Sequence, residues 1–183
     1  MLQFHVEKLI KTRSEIISSQ TEHEIIIRCQ QGDIAAFKQI YEQHSIMLYS
    51  IALRMLGVKE DAEDALQNCF TRLYKNIKQY KGLSKFSSYL VKILINCCYD
   101  ILNKRKRNMF DSRESLIMDE QNEWSLSLEK AIGLLPLKMR ECFILFAVEG
   151  FKQYEISEML GITEGAVKAH IFQAKKKLRD ILK

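Results

Sequence analysis

A single proline and seven glycines are all that 183 residues hold of the two types that most often break helices and force turns. A turn-rich sheet architecture is therefore disfavoured, and the many Ile, Leu, Lys, Glu and Gln residues point to long helices in an all-α fold. Also missing is any apolar run approaching the roughly eighteen residues that suggest a membrane span, so no membrane insertion is expected. The five cysteines (Cys29, Cys69, Cys97, Cys98 and Cys142) are odd in number and form neither a CxxC pair nor a Cys/His ligand spacing. With no signal peptide ahead of them, they read as buried small hydrophobes of a cytoplasmic protein. There is no Gly-rich phosphate loop, no HExxH, no pair of carboxylates in an apolar setting and no Ser/His/Asp arrangement. No catalytic residue, metal or cofactor is therefore expected.

What the sequence does contain is charge, unevenly placed. The net charge is +5, a basic bias that suits a polyanionic partner without demanding one. Residues 1–108 carry 17 Lys/Arg against 11 Asp/Glu, residues 109–129 one Arg against six acidic residues, and residues 130–183 ten basic against six acidic. The stretch 109–123 is acidic and offers little apolar surface to offset the entropy of ordering it. The chain thus reads as an N-terminal extension, 1–20, of no assigned role; a small helical domain, 21–108; an acidic linker, 109–123; and a second small helical domain, 124–183.

In the first domain, Thr21-Glu-His-Glu has the form of a capping box opening a short helix that Gly32 closes. Asp33 is placed to cap a helix whose Phe37, Ile40, Tyr41, His44, Leu48, Ile51, Ala52 and Met55 share one face, ended by Gly57. His44, on that apolar face, reads as a satisfied core side chain. A second helix opens with Glu60, Asp61, Glu63 and Asp64 and closes near Arg72, Lys75 and Lys78, each charge matched to the helix dipole. It buries Ala62, Leu66, Cys69, Phe70, Leu73 and Ile77. A third buries Phe86, Leu90, Ile93, Leu94, Cys97 and Ile101. Its outward stripe is Lys85, Ser88, Lys92, Asn96, Tyr99, Asn103 and Lys106, and it ends in Lys104-Arg105-Lys106-Arg107.

The second domain begins with an amphipathic helix from about Trp124 to Leu134. Leu135-Pro136 breaks it, and Pro136 starts the next helix at its first turn, packed through Cys142, Leu145, Phe146 and Val148 and stopped by Gly150. Tyr154 to Leu160 forms a short helix, Gly161 a tight turn, and Thr163 the cap of a further helix. There Val167, Ile171, Ala174, Leu178 and Ile181 recur at spacings of four and three, one edge locked onto the domain. The other edge shows Gly165, Lys168, Ala169, Phe172, Gln173, Lys176 and Arg179, with His170 at its flank. Small residues there permit close approach to base edges, and Lys and Gln can donate to bases or phosphates.

Each of these surfaces has two readings on residue type alone. The helix-turn-helix is a DNA reader or a helical hairpin with a solvated basic face. The helix at 86–107 lines a nucleic-acid groove, with Lys85, Lys92 and the basic run for phosphates and Tyr89 and Tyr99 for stacking, or is simply amphipathic. The helix at 61–75 presents a partner-binding face of Asp64, Gln67, Asn68, Thr71, Arg72 and Lys75, or an ordinary exposed side.

Taken together, four segments resemble the extracytoplasmic-function sigma factors of the sigma-70 family. Asp61-Ala-Glu-Asp-Ala-Leu-Gln-Asn-Cys-Phe-Thr-Arg-Leu-Tyr-Lys is similar to their polymerase-binding helix, and the segment from Phe86 to Arg107 to their promoter-melting helix. Leu134-Leu-Pro-Leu-Lys-Met-Arg-Glu-Cys-Phe-Ile-Leu and the segment from Tyr154 to Leu178 resemble their second DNA-binding domain. The family's acidic residue after the glutamine is here Asn68, its usual tryptophan is Tyr89, and its commoner arginine is His170. The resemblance implies an alternative sigma factor that recruits polymerase to promoters and promotes strand opening without being an enzyme; the alternative is a stand-alone helix-turn-helix regulator. It implies that Asp61, Asp64, Gln67, Asn68, Thr71, Arg72 and Lys75 face the clamp helices of the largest subunit of core RNA polymerase. Lys85, Ser88, Tyr89, Lys92, Asn96, Tyr99, Asn103, Lys104, Arg105 and Arg107, with the loop Gly82 to Lys85, would meet the melted minus-ten element. Thr163, Glu164, Gly165, Lys168, Ala169, His170, Gln173 and Lys176 would read the minus-thirty-five element. The implied partners are core polymerase, including its flap, promoter DNA and an anti-sigma factor, with the free chain monomeric.

Overall fold

The computed structural model describes residues 22–111 and 123–182, with side chains described for 22–107 and 128–182. In chain order the helices are α1 (22–30), α2 (Ile34–Leu56), α3 (Lys59–Asn76) with a 3-10 turn at Ile77–Gln79, and α4 (Phe86–Asp111). They continue with α5 (Glu123–Gly133), α6 (Leu137–Phe143) with a π turn at Ile144–Val148, α7 (Gln153–Leu160) and α8 (Glu164–Ile181). Among the described residues there is no strand, and no helix is long and apolar enough to cross a membrane. The Thr21 capping box and most of the acidic linker fall outside the described residues.

Local chemistry sets the helix ends. Asp33 Oδ1 accepts from the amides of Ala35 and Ala36 at 2.8 and 3.2 Å, while its Oδ2 takes the Arg28 guanidinium. Two of the orphan amides of α2 are thereby satisfied. Gly57, at φ +71°, lets the chain leave α2 in a left-handed turn that side chains with a Cβ resist. Thr163 Oγ1 accepts from Ala166 N at 3.2 Å and opens α8.

In the first domain α2, α3 and α4 pack on one another. Phe86 lies edge-on to His44 and to Tyr80, at 5.7 and 5.2 Å between ring centroids. Gln30 donates to the carbonyls of Ile77 and Tyr80, pinning α1 to the loop that leads into α4. His44 is not the satisfied core side chain its position suggests: it is only partly buried, and its Nε2 has no hydrogen-bond partner, the nearest acid being Glu22 Oε1 at 3.6 Å. All five cysteines are free and buried, and burial pushes the Cys69 thiol up to about 12 and that of Cys142 to about 11. A thiol held neutral behaves as a small hydrophobe.

In the second domain α8 buries Val167, Ile171, Ala174 and Leu178 as its spacing requires; Ile181, expected to continue the stripe, is exposed at the frayed end. Pro136 is the cap before α6 rather than a residue of its first turn, its carbonyl accepting from Arg140 N at 2.9 Å. The last turn before Gly150 widens to a π turn, with Glu149 N bonded to Ile144 O. One extra residue in the turn shifts the side-chain phase. Ile144 and Leu145 both face inward as a result, and Val148, expected to pack, faces solvent.

The two domains meet along α4 and the C-terminal end of α2. Arg54 donates to Glu129 at 3.0 Å, and Arg140 donates to the Met55 carbonyl at 2.8 Å, a cap for α2 supplied from the second domain. The buried Glu141 of α6 lies 3.3 Å from Lys138 Nζ and faces the hydroxyl of Tyr99 on α4; Lys138 also bonds that hydroxyl. α4 is buried on a second stripe, Ser88, Val91, Ile95 and Cys98, beside the expected one, in which Phe86, Leu90, Leu94 and Cys97 are buried and Ile93 and Ile101 only partly so.

Two measurements test these contacts. Thr163→Ala, which removes the α8 cap, is expected to lower unfolding free energy by about 1 kcal/mol in urea titrations. Burial raises the Glu141 carboxyl above its usual range, the Tyr99 hydroxyl and Lys138 offsetting part of that. A carboxyl raised in the folded state supports folding when protonated, and that support fades as pH rises from about 4.3 through its folded pKa. Glu141→Gln should therefore flatten the pH dependence of thermal unfolding above about pH 4.3 and raise Tm at pH 7, as read by thermal scans across pH.

Candidate polymerase and nucleic-acid interfaces

Helical periodicity on α3 sorts its side chains cleanly. Ala62, Ala65, Cys69, Phe70 and Leu73 are buried against the bundle, and Asp64, Gln67, Asn68, Thr71, Arg72 and Lys75 all lie on the exposed side. A polar ridge running the length of α3 is thus open to a partner. Two of the expected residues already have partners within the chain. Arg72 pairs with Asp100 of α4 at 2.6 Å, which holds its guanidinium even further above neutrality than usual. Asp61 is only partly exposed and bonds Arg105.

On α4 the structure divides the expected set. Lys92, Asn96, Asn103, Lys104 and Arg107 are exposed and Tyr89 is half-buried. Tyr89 stacks at a tilt on Tyr80, 5.0 Å between centroids, and Tyr80 donates to the Ser84 carbonyl at 2.6 Å. That pair of rings and that hydrogen bond fix the loop 80–85, from which Leu83 projects almost fully into solvent. Arg72, Asn76, Gln79, Tyr89, Ile93 and Asn96 surround a polar hollow of about 200 Å³ between α3 and α4.

Three residues of the set expected at the minus-ten element are not open to solvent. Ser88 is buried, its Oγ without a hydrogen-bond partner, because the second domain covers that side of α4. Tyr99 is bonded to Lys138 of α6 and faces Glu141, whose buried carboxylate pushes its hydroxyl far above the usual range on top of the burial itself. Arg105 is only a quarter exposed, bridging Asp61 and the Leu56 carbonyl, the latter at 3.1 Å. It ties α4 to the ends of α2 and α3 rather than facing solvent.

The edge of α8 opposite its buried stripe carries Thr163, Glu164, Gly165, Lys168, Ala169, Gln173 and Lys176, all exposed. Phe172 is two-thirds exposed at its centre. His170 is half-buried with Nδ1 turned inward and unpartnered, so it presents less to the outside than the rest. Lys175 lies over the Phe146 ring, 5.4 Å from its centroid. Among the described residues no three His, Cys, Asp or Glu side chains are grouped to hold a metal ion.

The contacts of the joint were not foreseen. Glu155, Glu141, Arg54 and Arg140 each fit an ordinary local role, and only the three-four-three spacing of Ser88, Val91, Ile95 and Cys98 hinted at a second covered face on α4.

Comparison with known proteins agrees with this geometry. The family model for Sigma-70 region 2 matches residues 40–108, and that for Sigma-70, region 4, matches residues 125–178. The chain is 30% identical over 177 residues to the ECF RNA polymerase sigma factor SigW of Bacillus subtilis strain 168, covering 86% of this chain and 95% of that protein. It is 26% identical over 167 residues to SigM of Mycobacterium tuberculosis H37Rv, covering 89% and 85% respectively. Its fold matches that of the sigma factor RpoE of Bartonella quintana, solved with the anti-sigma factor NepR, at TM-score 0.72 and 24% identity over 80% of this chain and 96% of that one. The chain belongs to the extracytoplasmic-function sigma factors of the sigma-70 family.

The Arg105 contacts predict a division within the basic run. Arg105→Ala should destabilise the protein by about 1–3 kcal/mol in chemical denaturation, since it strands a half-buried carboxylate and a helix-end carbonyl. Lys104→Ala and Arg107→Ala should each stay within about 0.5 kcal/mol.

Proposed function

We propose that this alternative sigma factor joins core RNA polymerase through the α3 ridge and reads a promoter through two separate surfaces. The observation that carries the reading is that three exposed polar faces, on α3, on α4 and on α8, occur in one chain in the order of the family. On α3 the residues are Asp64, Gln67, Asn68, Thr71 and Lys75, with Arg72 at the edge, set against the clamp helices of the largest polymerase subunit. Residues of α8, Gly165, Lys168, Ala169 and Gln173, meet the minus-thirty-five duplex. There Lys168 and Gln173 can donate to base edges, while Gly165 and Ala169 permit close approach. The second domain also rests on the flap.

The face of α4 with the loop Gly82 to Lys85 takes the unpaired minus-ten strand. Lys85 and Lys92 meet phosphates, Tyr89 offers a stacking surface, and Asn96 offers both a donor and an acceptor to a base. Holding unpaired bases favours the open duplex because the site has affinity for the separated strand alone. The polymerase makes the RNA, so the chain needs no catalytic group and is not an enzyme. It works in the cytoplasm as a monomer when free, and an anti-sigma factor, the partner seen with the Bartonella protein, controls it. A stand-alone repressor or activator has no use for the α3 ridge and the α4 face.

The reading is tested by transcription from a promoter library with purified core enzyme. Promoter-selective initiation should appear only when the chain is added. Asn96→Ala should reduce open-complex formation by about tenfold or more, and Lys168→Ala should weaken promoter binding while leaving core binding unchanged. A chain that neither binds core nor changes start-site choice would overturn the reading.

A further inference from the structure

Leu83 is 90% exposed, more than any other large apolar side chain among the described residues. Single exposed leucines are ordinary on protein surfaces, but this one stands on a stiff base. Gln30 Nε2 donates to the Tyr80 carbonyl at 2.9 Å where the loop begins, and the Tyr80 hydroxyl donates to the Ser84 carbonyl at 2.6 Å where it ends. Between these ties Gly82, at φ +71°, takes a left-handed turn that residues with a Cβ resist, and Leu83 projects from it. The Tyr80 ring rests against those of Phe86 and Tyr89, at 5.2 and 5.0 Å between centroids. At the exit, Lys85 reaches Glu155 of α7 at 2.9 Å, and the other oxygen of that carboxylate accepts the Lys152 amide at 2.8 Å. Lys78 and Lys81 before the tip and Lys92 beyond it are exposed, so cations frame the apolar side chain. Leu83 also lines the same cleft as Tyr89 and Lys92.

Resting on the function proposed above, we infer that Leu83 is a wedge for duplex DNA. Its side chain enters the base stack at the edge of the minus-ten element and starts the separation that the α4 face then holds. The framing lysines meet phosphates and so bring the apolar tip against the bases between them. A leucine pushed into a base step unstacks it, filling the gap with apolar surface and demanding no hydrogen bond. Leaving water favours the same move, since nearly all of the isobutyl group is solvated beforehand. Because the loop is already held at both ends, insertion costs little ordering entropy. Two tasks are thereby divided. Leu83 acts on the closed duplex and sets the rate of opening, whereas Tyr89 and Asn96 act on the freed strand and set how firmly it is kept.

The test uses the full chain with core enzyme and one promoter that the wild type selects from the library, made as a duplex and again with mismatched, pre-opened minus-ten bases. A fluorescent adenine analogue in the minus-ten strand reports the rate of opening, and transcript yield reports output. Leu83→Ala should slow opening of the duplex by about tenfold while giving the wild-type yield, within about twofold, on the pre-opened template. Leu83→Met keeps an apolar wedge and should open the duplex at nearly the wild-type rate, and Leu83→Ser should behave as Leu83→Ala. Thermal unfolding of all three should match the wild type, because so exposed a side chain adds little to the core. An Ala or Ser variant that opens the duplex as fast as the wild type overturns the wedge. So does one that loses activity equally on both templates, since that marks Leu83 as a strand contact or a support of the fold. The wild type on the pre-opened template checks the underlying reading by itself. Without core-dependent initiation there, the reading of the α4 face fails; with it, and with no effect of Leu83 on the duplex, the wedge alone fails.

Discussion

A helix with apolar side chains on two faces has to be covered on both, and α4 is such a helix. Its first stripe is met by α2 and α3, which any three-helix bundle supplies. Its second, Ser88 to Cys98, is buried as well: Ser88 faces α7, and α4 and α7 pack on one another across the two halves of the chain. Cys98, close to the Glu141 carboxylate, marks the seam. The placement of the second domain, the shielding of Ser88 and Tyr99 and the pairing of Lys85 all follow from that requirement.

Polar contacts line the seam beside that buried stripe. Arg54 with Glu129 and Lys85 with Glu155 are ion pairs with at least one exposed partner, a kind of contact that is weak in water and screened by salt. Arg140 gives the joint its geometry by reaching the end of α2, and Glu141 is kept ionisable by Tyr99 and Lys138 at the cost of its own desolvation.

The faces themselves are built from the ordinary side of amphipathic helices. On α3 the ridge differs from an ordinary solvated surface in its length and in having no covering element among the described residues. On α4 the exposed part is smaller than the set expected there, because Arg105 is drawn into holding α2, α3 and α4 together and Tyr99 into the joint. What remains, Tyr89, Lys92 and Asn96 beside a loop fixed by Tyr80, is a compact patch rather than a long groove.

Read alone, the sequence determined a good deal: the helices, most of their ends, most of the buried stripes within each domain, the helix-turn-helix and the ridge on α3. These depend on interactions within a turn or two of chain, such as Asp33 with Ala35 and Ala36, Thr163 with Ala166, or the spacing of Val167, Ile171, Ala174 and Leu178, and local periodicity records them. Only the tertiary structure decided what lies against the second stripe of α4, why Ser88 is buried, and that Glu155 and Lys85 meet across 70 residues of chain. Those outcomes depend on the relative placement of two domains, set by residues far apart in the chain. A glutamate that caps its own helix carries no local sign that its other oxygen serves a lysine in the neighbouring domain.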